Sequence, residues 1–97
     1  MRLLFKKGVI EILKALLQNE KMYRQELENV VGKKGSALNE RLNELKLQGL
    51  IDWEVEDKFQ GRKWYWLTPE GKEIAMHLIE IEKIMERLEE KKGGKIK

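Results

Sequence analysis

Residues 36–72 read SALNERLNELKLQGLIDWEVEDKFQGRKWYWLTPEGK, and how they are read decides the fold. Leu38, Leu42 and Leu45 recur at spacings of four and three, which makes one apolar face of a helix. Ser36 suits the N-cap, because its hydroxyl can accept from backbone amides that have no partner in the first turn. Gly49 supplies the stop. The period then changes to two. Ile51, Trp53 and Val55 alternate with Asp52, Glu54 and Glu56, the pattern of a half-buried strand. Residues 57–61 (DKFQG) form a turn, and residues 62–67 (RKWYWL) return as a second strand. Thr68, Pro69 and Glu70 then open another helix. The threonine offers a capping hydroxyl, the proline has no N–H to leave unpaired, and the macrodipole favours the acid.

Upstream, Val9, Ile12, Leu13, Leu16 and Leu17 line one face of a first helix. Residues 19–21 are a polar break. Residues 24–31 (RQELENVV) carry Leu27, Val30 and Val31 at helical spacing, and Gly32 can end that helix in the left-handed conformation. Lys33, Lys34 and Gly35 make a short turn before the leucine-spaced helix. Downstream, the last helix is expected from Pro69 to Lys92, ended by Gly93 and Gly94, with a frayed tail after them. About 24 residues would span roughly 36 Å, longer than a domain this small can easily bury. Ile74, Leu78, Ile81, Met85 and Leu88 form a heptad-like seam along it, widened by Ala75 and Ile84. The seam predicts a homodimer, joined by Leu3, Leu4 and Phe5. The plainer alternative is that the first half packs on the core and the rest is solvated.

In the hairpin, Trp53 opposite Tyr65 and Ile51 opposite Leu67 would face the core. Trp64 and Trp66 would then lie on the other face, opposite Glu54 and Asp52, and Glu56 would pair with Arg62. A slip of one residue would reverse this assignment. Two tryptophans on an outer face call for packing under another element, a dimer contact or a small-molecule site.

The chain of 97 residues is read as one domain: helices and hairpin over residues 8–68, and the last helix over 69–92. It is 41% hydrophobic and has no cysteine, which rules out disulfides and thiolate metal sites. No apolar run approaches the ~20 residues of a membrane span, and the N-terminus makes a poor signal peptide, so a cytoplasmic protein is expected. A net charge of +3, from 20 basic and 17 acidic residues, is compatible with nucleic acid but too weak to argue for it alone. The charged fraction of 38% resembles thermophile composition. His77 is the single histidine and Ser36 the single serine. One histidine without cysteine makes no metal site, and neither residue has a catalytic partner in the sequence. The reading is therefore not an enzyme, with no cofactor.

The fold class that results is mainly α with a small β-hairpin (α+β), a winged helix-turn-helix with a long C-terminal dimerisation helix. The order GKKGSALNERLNELKLQGLID, then GRKWYWLTPEGKEIA, resembles winged-helix transcriptional regulators of the MarR/PadR type. Leu42, Leu45, Gly49, Leu50, Ile51, Tyr65, Leu67, Thr68 and Gly71 carry that resemblance, which covers residues 8–90. It implies a recognition helix in the major groove of double-stranded DNA and a hairpin tip near the phosphates. Carried over, it implicates Ser36, Asn39, Glu40 and Arg41 on the helix and Lys58, Gln60, Arg62 and Lys63 on the wing; Asn43 joins them by its outward position, and Lys33 and Lys34 by lying just ahead of the helix, where phosphates would pass.

Two features oppose that use. Glu40 and Glu44 lie on the outward face of the helix, where a carboxylate repels phosphate although it can accept from cytosine. The wing holds three acids against three bases. The leading expectation is a homodimeric, sequence-specific DNA-binding regulator, a repressor by default. The alternative is a winged-helix protein–protein adaptor in a transcription or replication complex. A third reading is a regulator sensing a small-molecule effector through Trp64 and Trp66.

Overall fold

The computed structural model describes residues 2–32, 35–56 and 61–96, with side chains through residue 91. After a short 3₁₀ turn at Arg2–Phe5 come α1 (Val9–Gln18), β1 (Met22–Tyr23), α2 (Arg24–Val31), α3 (Gly35–Leu47), β2 (Ile51–Val55), β3 (Lys63–Leu67) and α4 (Pro69–Ile96). The molecule is a mostly helical winged-helix fold with a small antiparallel sheet in the order β1-β3-β2.

The apolar faces read from the sequence form one core. Val9, Ile12, Leu13 and Leu16 of α1 and Leu27 of α2 meet Leu38, Leu42 and Leu45 of α3. Ile51, Tyr65 and Leu67 close it from the sheet and Ala75 from α4. The hairpin register is as expected: Ile51 opposes Leu67, Trp53 opposes Tyr65, and Glu54 opposes Trp64. The Glu56 amide continues the ladder by donating to the Arg62 carbonyl at 2.8 Å. Because side chains alternate, this register buries Tyr65 and Leu67 and turns Trp64 and Trp66 to the other face.

The junction of α3 with the sheet and α4 positions the rest. Gly49 has φ +82°. Its amide donates to Lys46 and the Leu50 amide donates to Leu45, a Schellman stop. Thr68 caps α4 by accepting from the Gly71 amide at 3.1 Å, while its own hydroxyl donates to the Gly49 carbonyl at 2.6 Å. The Thr68 amide donates to the Leu50 carbonyl at 3.0 Å. The start of α4 is thus fastened to the end of α3.

Three expectations need correction. The sheet has a third strand, β1, with Met22 opposite Tyr65 and Tyr23 opposite Trp64. Helix α3 begins at Gly35, whose φ is +62°, so Ser36 sits in the first turn rather than at the cap. Helix α4 runs through Gly93 and Gly94 to Ile96. Once a helix is propagating, each further residue adds a hydrogen bond, and a glycine's penalty of about 1 kcal/mol does not by itself end it. The outer-face tryptophans, for which packing was one of the readings left open, are partly covered within the protomer. Trp64 meets Tyr23 edge to face at 5.5 Å between centroids, and its Nε1 donates to Glu56. The Lys21 ammonium lies 5.1 Å over Trp66.

Candidate nucleic-acid interface

Helix α3 has one buried side and one open side. With Leu38, Leu42 and Leu45 turned inward, Ser36, Ala37, Asn39, Glu40, Asn43 and Leu47 are exposed. Leu47 is 86% exposed. Ser36, Asn39, Glu40 and Asn43 therefore share an exposed surface. The helix's two flanks differ in charge and in what holds them.

On the flank facing the N-terminus, Arg41 is not free. Its Nε donates to the Lys7 carbonyl at 3.3 Å and its Nη1 to Glu44 at 2.7 Å, with Glu40 at 3.9 Å. Lys6 also pairs with Glu44. The hydrogen bond from Lys6 holds the Glu44 carboxyl below its ordinary value; desolvation opposes it, and the weaker effect of the Arg41 bond adds to the lowering. Such surface pairs add little stability. Their consequence is electrostatic: Glu44 stands between two cations that offset its charge. Arg41, expected to read bases, thus has two of its three nitrogens engaged, one with the Lys7 carbonyl and one with Glu44.

The flank facing the wing is basic. Arg24, the first residue of α2, reaches across to α3. Its Nη1 donates to Asn39 Oδ1 at 2.5 Å and its Nη2 to the Gly35 carbonyl at 3.2 Å. Its Nε lies 3.2 Å from Glu28, close enough to pair but not aligned for a hydrogen bond. Lys46 pairs with Asp52 at 2.5 Å and lies 4.7 Å over the Trp53 ring. Lys63 lies 3.9 Å over the same ring, so Trp53 carries two ammonium groups. Arg62 stacks 4.3 Å over Tyr23. Desolvation lowers the Lys63 pKa, and the like charges of Arg24 and Lys46 lower it further. The Lys46 hydrogen bond first, and the Trp53 amide second, lower that of Asp52. Burial raises the Tyr65 phenol, with Arg24 opposing.

Of the wing residues named from sequence, Arg62 and Lys63 thus join this flank. Lys33, Lys34, Lys58 and Gln60 lie outside the described residues. The sequence reading missed Arg24, Lys46 and Lys6. Lys46 had a signal, since it follows Asn39 by seven residues and so shares its face. Arg24 and Lys6 had none, because their partners are distant in the chain.

Away from α3, the seam of α4 divides. Ile74 and Leu78 pack against the protomer's own core. Ile81, Met85 and Leu88 remain about half exposed, at 54%, 51% and 47%, and Phe5 is 79% exposed. Leu4, Phe5, Ile10, Ile74, Leu78 and Ile81 line an apolar groove with His77 at its edge. Among the described residues, no cluster of three or more His, Cys, Asp or Glu could hold a metal ion, and no helix is long and apolar enough to cross a membrane.

A family model described as HxlR-like helix-turn-helix matches residues 3–92. Among solved structures, the chain is similar to a protein described as of the MarR family from Enterococcus faecalis V583. The two are 26% identical with a TM-score of 0.86, over 95% of this chain and 84% of the other. It is similar to Sso10a-2, a DNA-binding protein from Sulfolobus solfataricus, at 28% identity and a TM-score of 0.68, over 88% of each chain. A MarR-family transcriptional regulator from Silicibacter pomeroyi matches at 25% identity and a TM-score of 0.70 over 79% of this chain. The chain spans only about half of that protein, 51% of its length. No curated protein matched the sequence significantly.

Proposed function

The chain belongs to the HxlR-like helix-turn-helix family, and on that premise we propose that it binds double-stranded DNA sequence-specifically as a homodimer and represses transcription in the cytoplasm. The observation that carries this reading is the open face of α3. Ser36, Asn39, Glu40 and Asn43 are exposed together there. Beside them stand Arg24, Lys46, Arg62 and Lys63, while Lys6 and Arg41 compensate Glu44. Phosphates supply most of the affinity in such complexes and base edges the specificity. A polar helix face with a basic flank offers both. The similarity to Sso10a-2, a DNA-binding protein, supports the same reading.

The dimer rests on Phe5, Ile81, Met85 and Leu88, which a single protomer leaves exposed. Repression is the simplest consequence, because occupying a site is enough to exclude polymerase from it. The test is fluorescence anisotropy with random duplex DNA across a salt series. The expected result is affinity falling linearly on a log–log plot, with Arg62→Ala reducing the slope by about 0.9, one phosphate's share. Absence of binding at low salt would contradict the reading and favour the adaptor.

A further inference from the structure

Building on the DNA reading, we infer that Arg24 is a specificity-determining residue that biases Asn39 toward donating to bases, favouring guanine over adenine. A guanidinium can donate but not accept. The atom that Asn39 presents to Arg24 Nη1 at 2.5 Å is therefore the amide oxygen. The amide nitrogen, with both its hydrogens, is left on the side away from Arg24, and Asn39 lies on the exposed face of α3.

Arg24 is well placed to hold this orientation. Its second terminal nitrogen is bound to the Gly35 carbonyl across the turn between α2 and α3. Its Nε sits beside Glu28, and its side chain is only 29% exposed. A charged donor makes a stronger bond to the Asn39 oxygen than a neutral one would. An asparagine recognises adenine through two bonds, accepting from N6 and donating to N7. That pairing needs the amide oxygen, one of whose two lone pairs Arg24 already holds while drawing the oxygen toward α2. Guanine instead presents N7 and O6, both acceptors, along the same edge. An asparagine that turns its amide nitrogen away from Arg24 favours guanine. Arg24 itself touches no base in this scheme; it acts through Asn39.

A merely structural Arg24, tying α2 to α3, would leave base preference unmoved when substituted. In vitro selection from random duplexes with the full chain separates the two. Asn39→Ala identifies the operator position that Asn39 reads, as the one whose preference disappears. In the wild type that position should favour guanine over adenine by about tenfold, the scale of one base contact. Arg24→Met frees the amide oxygen and should move the same position toward adenine. Asn39→Asp keeps the contact with Arg24 but has no donor, and should lose the guanine preference; this variant decides the matter if Arg24→Met does not fold. Adenine at that position in the wild type, guanine retained in Arg24→Met or Asn39→Asp, or no position altered by Asn39→Ala would each overturn the inference. Failure of the wild type to bind any duplex at low salt would instead remove the DNA reading on which it stands.

Discussion

Gly71 shows what a single residue does for this fold. A Cβ built there would lie 1.9 Å from the Leu50 carbonyl oxygen and 3.2 Å from Leu67 Cδ2. Neither neighbour can retreat easily, because the same carbonyl accepts from Thr68 and Leu67 is in the core. Gly71→Ala should therefore destabilise by about 3 kcal/mol, the upper end of the overpacking range, read as a lower urea midpoint. A midpoint like the wild type's would show that α4 can shift off the turn. The sequence showed Gly71 as part of a recurring segment but not its reason, which is a contact with a carbonyl from another element. Glu44 teaches the opposite lesson. Its position on an outward helical face was legible, but its charge state in context was not. Its carboxyl titrates below the ordinary 4.5 because Lys6 and Arg41 bind the ionised form. A depressed acid contributes stability above its unfolded pKa and loses it as pH falls through the folded one. The Lys6–Glu44 link should accordingly persist at neutral pH and fail only in acid. NMR of the Glu44 side chain should give a midpoint that moves up toward 4.5 in Lys6→Met; an unmoved midpoint would contradict the pairing.

At the scale of elements, periodicity carried the reading wherever burial was regular. Helix α3 was legible from three leucines, and the β2–β3 register from alternation, since a slip would have put Trp64 and Trp66 in the core. Strand β1 was not, because two residues carry no period, and its pairing with β3 is set by tertiary contact. Arg41 was assigned to the groove from its place on the flank of α3. A helical projection cannot know that residues 6 and 7 pass beside that flank. Gly93 and Gly94 were read as a stop, but a glycine ends a helix firmly only where the chain must turn, as at Gly49. Helix α4 also carries an element-scale prediction. Met85 and Leu88 contribute nothing to the core cluster, so Met85→Glu and Leu88→Glu should keep the far-UV circular dichroism of a folded protomer while shifting the proposed dimer toward monomer in sedimentation velocity at micromolar concentration. Two variants that sediment as the wild type does would remove this helix as the dimer contact.

The whole molecule is long for its size. Its radius of gyration is 15.6 Å, and its extents are 59 × 24 × 23 Å. A compact chain of this length would have a radius near 12.5 Å by the usual scaling, about. The excess follows from α4, whose 28 residues span about 42 Å and project past the core. A two-fold dimer through that projection would present two α3 helices about 34 Å apart, one turn of DNA, and call for a near-palindromic site. The monomeric variants should then bind a full site more weakly than the wild type, because the second half-site is no longer engaged at high effective concentration. All of this depends on α3 being the surface that meets DNA. The most direct measurement is NMR chemical-shift mapping of the full chain with a short duplex taken from the selected site. The expected result is that amides of Ser36, Asn39, Glu40 and Asn43 shift together with those of Arg24, Arg62 and Lys63, while the Ile81–Leu88 stretch of α4 stays unmoved. Shifts that spare α3 and gather on α4 or the outer face of α1 would contradict it.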